Sequence, residues 1–249
     1  MNVKILSDIH AEFHQDHGRT FVKELDATDV DVLVVAGDAG VVAGGSFAAV
    51  MAFLCNKFKH VVGVIGNHEL YHSSREEVWE VVQRLQNEHP NLHVLENSTV
   101  TIEGQRFIGC TLWFPDLERY RPFRGQLNDF SIIHGFTGWF DQVNAESTNY
   151  LLHNIGVDDI VVTHHLPTHR ATHPKYAGSP INGFFVCDME ETIKERKPKV
   201  WAFGHTHESM SFPLCDTLLV CNPFGYAGRD ENMGFDWNLK LSVEKNRVL

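Results

Sequence analysis

Five apolar runs along this chain each stop at a residue able to hold a metal ion. The run from Val3 ends in Asp8 and His10, and the run from Val30 ends in Asp38. The run from Val61 ends in Asn67 and His68, the run from Ile160 in His164 and His165, and the run from Val200 in His205 and His207. Rich in Val and Ile and bounded by Gly or turn residues, such runs predict strands buried on both faces of a sheet. Ligands of such sheets gather beyond the carboxyl ends of the strands, so the five ends are expected to converge on one edge. Between them, residues 46–58 predict a strongly apolar helix. Residues 73–89 predict a second, with Ser73 and Ser74 as caps, Glu76 and Glu77 in the first turn and Pro90 as the stop. Val78, Val81, Val82 and Leu85 share one face of it at helical spacing.

Beyond residue 92 the pattern changes. Residues 99–113 read as a hairpin turning near Gly104. Residues 114–144 have no clean period and are rich in Phe, Trp, Arg and Gly, which marks a functional rim or lid. Helices follow around 145–155 and 188–196, and further strands at 217–223 and 235–243. Residues 222–228 read as a structural turn. Alternating strands and helices followed by hairpins predict a two-sheet α/β sandwich. No repeat or linker divides it, so a single domain over residues 1–249 is expected.

Composition narrows the partners. With 43% hydrophobic and 21% charged residues the chain is ordinary for a soluble globular protein. A net charge of -11 supplies no global field for nucleic acid or an anionic membrane. The first strand starts too near Met1 for a signal peptide, and no apolar run is long enough to span a bilayer. The five cysteines are scattered without C-x-x-C spacing, as expected for free thiols in a reducing cytoplasm. Asn97-Ser98-Thr99 matches a glycosylation acceptor, which a cytoplasmic chain would not use.

The strand ends carry the chemistry. Asp8 and His10 sit two apart, as do His205 and His207; in extended backbone such pairs point to one side. Small neighbours around Asp38, Gly66 before Asn67 and Gly204 before His205 allow the backbone to turn close to a ligand. Imidazole mixed with carboxylate suits Mn, Fe, Zn or Co better than Ca or Mg. A lone strand-end histidine is usually a surface or core residue; five ligand-bearing ends together are not explained that way.

These residues give the chain a family likeness. It resembles the calcineurin-like metallophosphoesterase superfamily, whose blocks occur in order: Asp8-Ile9-His10, Gly37-Asp38, Gly66 to Glu69, His164, and Gly204 to His207. The resemblance implies a four-layer αββα sandwich of two mixed sheets flanked by helices, and two divalent ions. Asp8, His10 and His207 would hold one ion, Asn67, His164 and His205 the other, with Asp38 bridging. His165 would contact substrate or support the ligands. Two ions bring +4, and two carboxylates with one hydroxide leave about +1 to attract phosphate.

The implied activity is hydrolysis of a phosphate mono- or diester by a hydroxide held between ions roughly 3.5–4 Å apart. His68 would be the general acid for the leaving oxygen. In the family's frequent G-D-x-x-D pattern the later Asp orients that acid, but this chain has Val41 there; Asp129 is a candidate replacement. For substrate contacts the sequence offers Asn67, His165, Arg170 and Asp129. Arg119, Arg121 and Arg124 beside Tyr120 and Phe123 suggest either a nucleotide-recognising rim or a solvated loop with an aromatic anchor, while residues 164–176 make a stronger pocket wall. The expected partner is a small phosphorylated molecule, nucleotides included. A nuclease is the enzymatic alternative, opposed by the acidic balance. A non-catalytic scaffold is the other, opposed by the complete ligand set.

Overall fold

The structure, a computed structural model, describes residues 1–229 and 234–244; the parts of the expected domain at 230–233 and 245–249 lie outside them. Four strands, β1 (Asn2–Leu6), β2 (Val32–Ala36), β3 (Val61–Val64) and β4 (Leu92–Leu95), pair in parallel in that order. A second sheet contains β5 (Ser98–Ile102), β6 (Gln105–Cys110), β7 (Ile160–Thr163), β8 (Val200–Phe203), β9 (Met210–Leu214) and β10 (Thr217–Cys221). Its order is β5-β6-β7-β8-β10-β9, parallel from β6 to β10, with β5 and β9 antiparallel at the edges. A short strand, β11 (Lys240–Ser242), lies antiparallel on the outer side of β1.

The period of two along each strand divides the core into three layers. Val3, Ile5, Val34, Val62 and Val64 of the first sheet meet Phe107, Ile160, Val162, Val200 and Val220 of the second. On the first sheet's outer face, Leu33, Val35 and Val61 pack with helices α1 (Arg19–Glu24), α2 (Ser46–Lys57) and α3 (Arg75–Glu88). Ile108, Val161, Trp201 and Leu219 face outward from the second sheet. They pack against Leu151 and Ile193, on helices spanning Phe140–Asn154 and Glu190–Arg196. The order helix, sheet, sheet, helix is the expected αββα sandwich.

Several boundaries shift for identifiable reasons. Ser74, not Ser73, caps α3, in a capping box with Glu77. The expected hairpin is β5–β6, turning through Glu103 and Gly104, both at positive φ. The expected irregular segment begins after β6 with 3₁₀ turns over Glu118–Gln126 and a single helical turn, α4 (Asp129–Ile132). The long helix, α5 (Phe140–Asn154), starts five residues earlier than its periodicity indicated, and α6 (Glu190–Arg196) follows. The strand expected over 235–243 shrinks to β11, because Asp236 Oδ1 accepts the Asn238 N–H in a side-chain turn. Among the described residues, no helix is long and apolar enough to cross a membrane.

The five ligand-bearing ends do not share one sheet edge. Three belong to the first sheet and two to the second, and the two edges face each other across the sandwich. Glycines permit this approach. A Cβ on Gly37, which has φ +84, would lie 2.4 Å from His164 Nδ1, and one on Gly204 would lie 2.7 Å from the Ala36 carbonyl.

Candidate metal centre

The backbone at the strand ends is unusual. Asp8, His10, Asp38, His205 and His207 all have φ between 49° and 69°, a left-handed region that costs non-glycine residues roughly 1–2 kcal/mol each. Asp8 and His10 therefore meet His207 because each residue is turned back, not because the backbone is extended. The first sheet's loops are tied by Glu69, a fully buried carboxylate. It accepts the N–H groups of Gly66, Ala39 and Asp38 at 2.7, 2.6 and 3.1 Å. Burial, reinforced by Asp38, pushes its pKa up to about 8.

These residues, with Asn67 and His164, form two groups joined by one carboxylate. In one, His207 Nε2 lies 3.0 Å from His10 Nε2 and 3.5 Å from Asp8 Oδ1. In the other, His164 Nε2 lies 3.1 Å from His205 Nδ1, 3.1 Å from Asn67 Oδ1 and 3.5 Å from Asp38 Oδ2. Asp38 Oδ2 is also 3.7 Å from His10 Nε2, so it faces both groups. Each group meets the geometric requirement for holding a cation.

Their chemistry fits one as well. His164 Nδ1 faces the Ala36 carbonyl at 3.0 Å and His10 Nδ1 faces Glu12 Oε1 at 3.2 Å. These acceptors hold a proton on Nδ1, so each ring presents Nε2 to the centre, as a lone pair once that nitrogen is deprotonated. Ring nitrogens 3.0–3.1 Å apart need a proton or a cation between them to offset the repulsion of their lone pairs. Burial works against charge at Asp38 and His164. Even so, the histidines around it hold Asp38 well below the usual carboxylate range, and Asp38 beside it carries His164 up to about 10. The centre favours positive charge next to Asp38.

Neighbouring residues divide into those that touch the cleft and those that do not. His68 lines the cleft; its backbone N–H donates to Asp38 Oδ1 at 2.9 Å, and its Nδ1 meets Glu12 Oε1 at 2.8 Å. Burial draws the imidazole pKa down, but Asp38 and Glu12 outweigh it and raise the value. Glu12 shifts the other way: burial favours protonation, yet the bonds from His10 and His68 hold it at about 2. Asp129 does not touch His68. Its Oδ1 accepts from Asn67 Nδ2 at 3.0 Å and from the Tyr71 hydroxyl at 2.9 Å, which turns the Asn67 carbonyl oxygen toward His164. His165 is fully buried beneath His205, with ring centroids 4.4 Å apart, and burial drives its pKa down to about 3. It reaches no cleft surface. Arg170 is also absent from the cleft wall, its guanidinium paired with Glu190 at 2.9 Å.

The cleft over the centre has a volume of about 330 Å³. Leu166, Thr172, Lys175 and Tyr176 form part of its wall, as the position of residues 164–176 suggested, with Ile181 and Phe185 continuing it. The arginine rim faces elsewhere: Arg121 and Arg124 pair with Asp116, and Arg119 lies over Tyr120. Two contributors escaped the sequence reading. Glu12 stands two residues after His10, and that spacing was its signal. Tyr226 lines the cleft with its ring 4.5 Å from His10 and 4.7 Å from His207. It follows β10, whose parallel pairing with β8 brings residues 222–228 to the same edge, so this turn is more than structural.

Comparison with known proteins identifies the family. A family model described as calcineurin-like phosphoesterase matches residues 1–209. An uncharacterized protein, L509, of Acanthamoeba polyphaga mimivirus is 24% identical over 262 residues, covering 92% of this chain and 93% of its own. Among solved structures, the phosphopantetheinyl hydrolase PptH of Mycobacterium tuberculosis superposes with a TM-score of 0.70 at 14% identity, covering 90% of this chain and 89% of that one. A dimetal phosphatase from Danio rerio superposes with a TM-score of 0.57 at 15% identity, covering 93% and 89%.

Proposed function

Because this chain belongs to the calcineurin-like phosphoesterase family, we propose that it hydrolyses the phosphate mono- or diester of a small molecule with two divalent cations, manganese favoured. The observation that carries this reading is the pair of ligand groups facing one carboxylate, Asp38 Oδ2. Asp8, His10 and His207 would hold one cation and Asn67, His164 and His205 the other, with Asp38 shared. Bound there, the cations would polarise phosphoryl oxygens and lower the pKa of a water to about 7.

The chain's own groups supply positioning and a proton. Asp129 fixes the Asn67 amide, and Glu69 fixes the loop that carries Asp38. A water that has first lost a proton to solvent bonds through oxygen to phosphorus, the P–O bond to the alcohol breaks, and the departing oxygen takes a proton from His68. The cleft, with apolar Leu166, Ile181 and Phe185 beside polar Thr172 and Asn182, suits an alcohol of mixed character. The resemblance to a phosphopantetheinyl hydrolase places phosphopantetheine-type esters alongside nucleotides in a substrate panel. The net charge of -11 weighs against nucleic acid, and the scattered cysteines without C-x-x-C spacing favour a cytoplasmic location.

The test is metal analysis of the purified chain after incubation with Mn²⁺, Fe²⁺ or Zn²⁺, followed by assays on nitrophenyl phosphate, bis-nitrophenyl phosphate and single-stranded DNA. Two bound equivalents with turnover of a nitrophenyl ester are expected. Turnover confined to DNA would favour the nuclease, and metal binding without any turnover a scaffold.

A further inference from the structure

The position from which relatives of the G-D-x-x-D pattern would direct a carboxylate at His68 is apolar here. Val41 is buried in the core, and its backbone N–H and carbonyl are both engaged by Ser46 Oγ at 3.0 Å. A carboxylate reaches His68 from another element, the 3₁₀ turn Ala11–Phe13 that follows β1. Glu12 Oε1 lies 2.8 Å from His68 Nδ1 and 3.2 Å from His10 Nδ1, and its second oxygen, Oε2, is buried without a partner. The two imidazole rings meet edge-on, 4.3 Å apart at 71°, so one oxygen reaches both.

We infer that Glu12 is the positioning residue for His68 and sets the direction in which its proton leaves. This rests on the phosphoesterase reading above. A carboxylate accepts only, so the Nδ1 proton of His68 stays with Glu12. The transferable proton is then the one on Nε2. That nitrogen points into the cleft, 3.5 Å from the Tyr226 hydroxyl. As the P–O bond breaks, the Nε2 proton passes to the departing alkoxide, and the N–H bond electrons remain on the imidazole. The ring ends neutral, in the tautomer that Glu12 already holds. Because the same oxygen also faces His10, Glu12 sets the spacing between the proton donor and a proposed cation ligand.

The test uses Glu12→Ala, Glu12→Gln, His68→Ala and the Glu12→Ala/His68→Ala double variant, each analysed for metal and assayed on an alkyl and a nitrophenyl ester of the same phosphate. Glu12→Ala should lose roughly 10–100-fold in kcat on the alkyl ester, the usual range for removing a group that orients a histidine. It should lose no more than a few-fold on the nitrophenyl ester, whose leaving group needs no acid. Glu12→Gln keeps an acceptor oxygen and should recover most of the loss. In the double variant the alkyl-ester rate should match that of His68→Ala alone, since the two residues act as one unit. A hydrogen-bonded imidazole N–H resonance of His68 should be seen in the unmodified chain and vanish in Glu12→Ala. Equal losses on both esters with loss of metal would overturn the inference, because Glu12 would then serve His10 alone; multiplicative losses in the double variant would also overturn it. A chain that binds metal and cleaves neither ester would instead defeat the phosphoesterase reading.

Discussion

Single residues show where this protein carries local strain. Five of the seven proposed cation ligands adopt left-handed backbone that their side chains disfavour. Such strain persists only where the surroundings impose it; here Asp8 accepts the His205 N–H at 3.0 Å, and Asp38 accepts that of His68 at 2.9 Å. His68 itself has no proposed metal role, which makes it separable by mutation. His68→Ala should retain both metals and lose about 10²–10⁴-fold in rate on esters with poor leaving groups. The check is a rate series across leaving-group pKa, in which the variant's slope should be the steeper. A uniform loss would remove His68 from the proton-transfer step.

Elements are held in register by what their small residues exclude. Gly109 on β6 sits where the two sheets meet. A Cβ there would lie 2.6 Å from the Val162 carbonyl and 2.9 Å from Val64 of the opposite sheet. Gly109→Ala should therefore destabilise the fold by about 1–3 kcal/mol through overpacking, read as a lowered midpoint in urea. Gly63→Ala on β3 is the comparison: its Cβ would first meet the Val35 carbonyl at 3.4 Å, and its cost should be smaller. If both cost the same, packing between the sheets is looser than this geometry requires. The 3₁₀ turn after β1 acts at the same scale, since three residues carry Glu12 from a strand end back to His68.

For the whole molecule, the opposed sheet edges make folding and cation binding one problem. Ring nitrogens held 3.0–3.1 Å apart need a proton or a cation between them, so cations that bind only the folded chain should stabilise it. Removing them with a chelator should lower Tm, by the equivalent of about 2.7 kcal/mol for a cation present at a hundredfold its Kd. A Tm indifferent to chelation after metal loading would contradict this. Thiol reactivity tests the same compactness. Cys55, Cys110, Cys187 and Cys221 are buried and Cys215 is exposed; burial pushes the Cys55 and Cys187 thiols up to about 12 and raises Cys110 and Cys221 well above the ordinary thiol range. At pH 8 one thiol should react with a disulfide reagent in the folded protein, and all five cysteines after denaturation.

The sequence by itself determined the strands that end at Asp8, Asp38, Asn67, His164 and His205, because burial on both faces writes itself as unbroken Val and Ile runs. It also determined the capped helix at α3 and the hairpin at Gly104, whose signals are local. Tertiary structure decided the rest. The ends proved to lie on two facing sheets, and Asp129 turned out to hold Asn67 rather than His68. Arg170 went to Glu190, and Glu12 filled the place left by Val41. The reason is physical: a strand or a cap depends on neighbours a few residues away. Glu12 meets His68 across 56 residues and Tyr226 meets it across 158, and such pairings exist only once the sheets have packed.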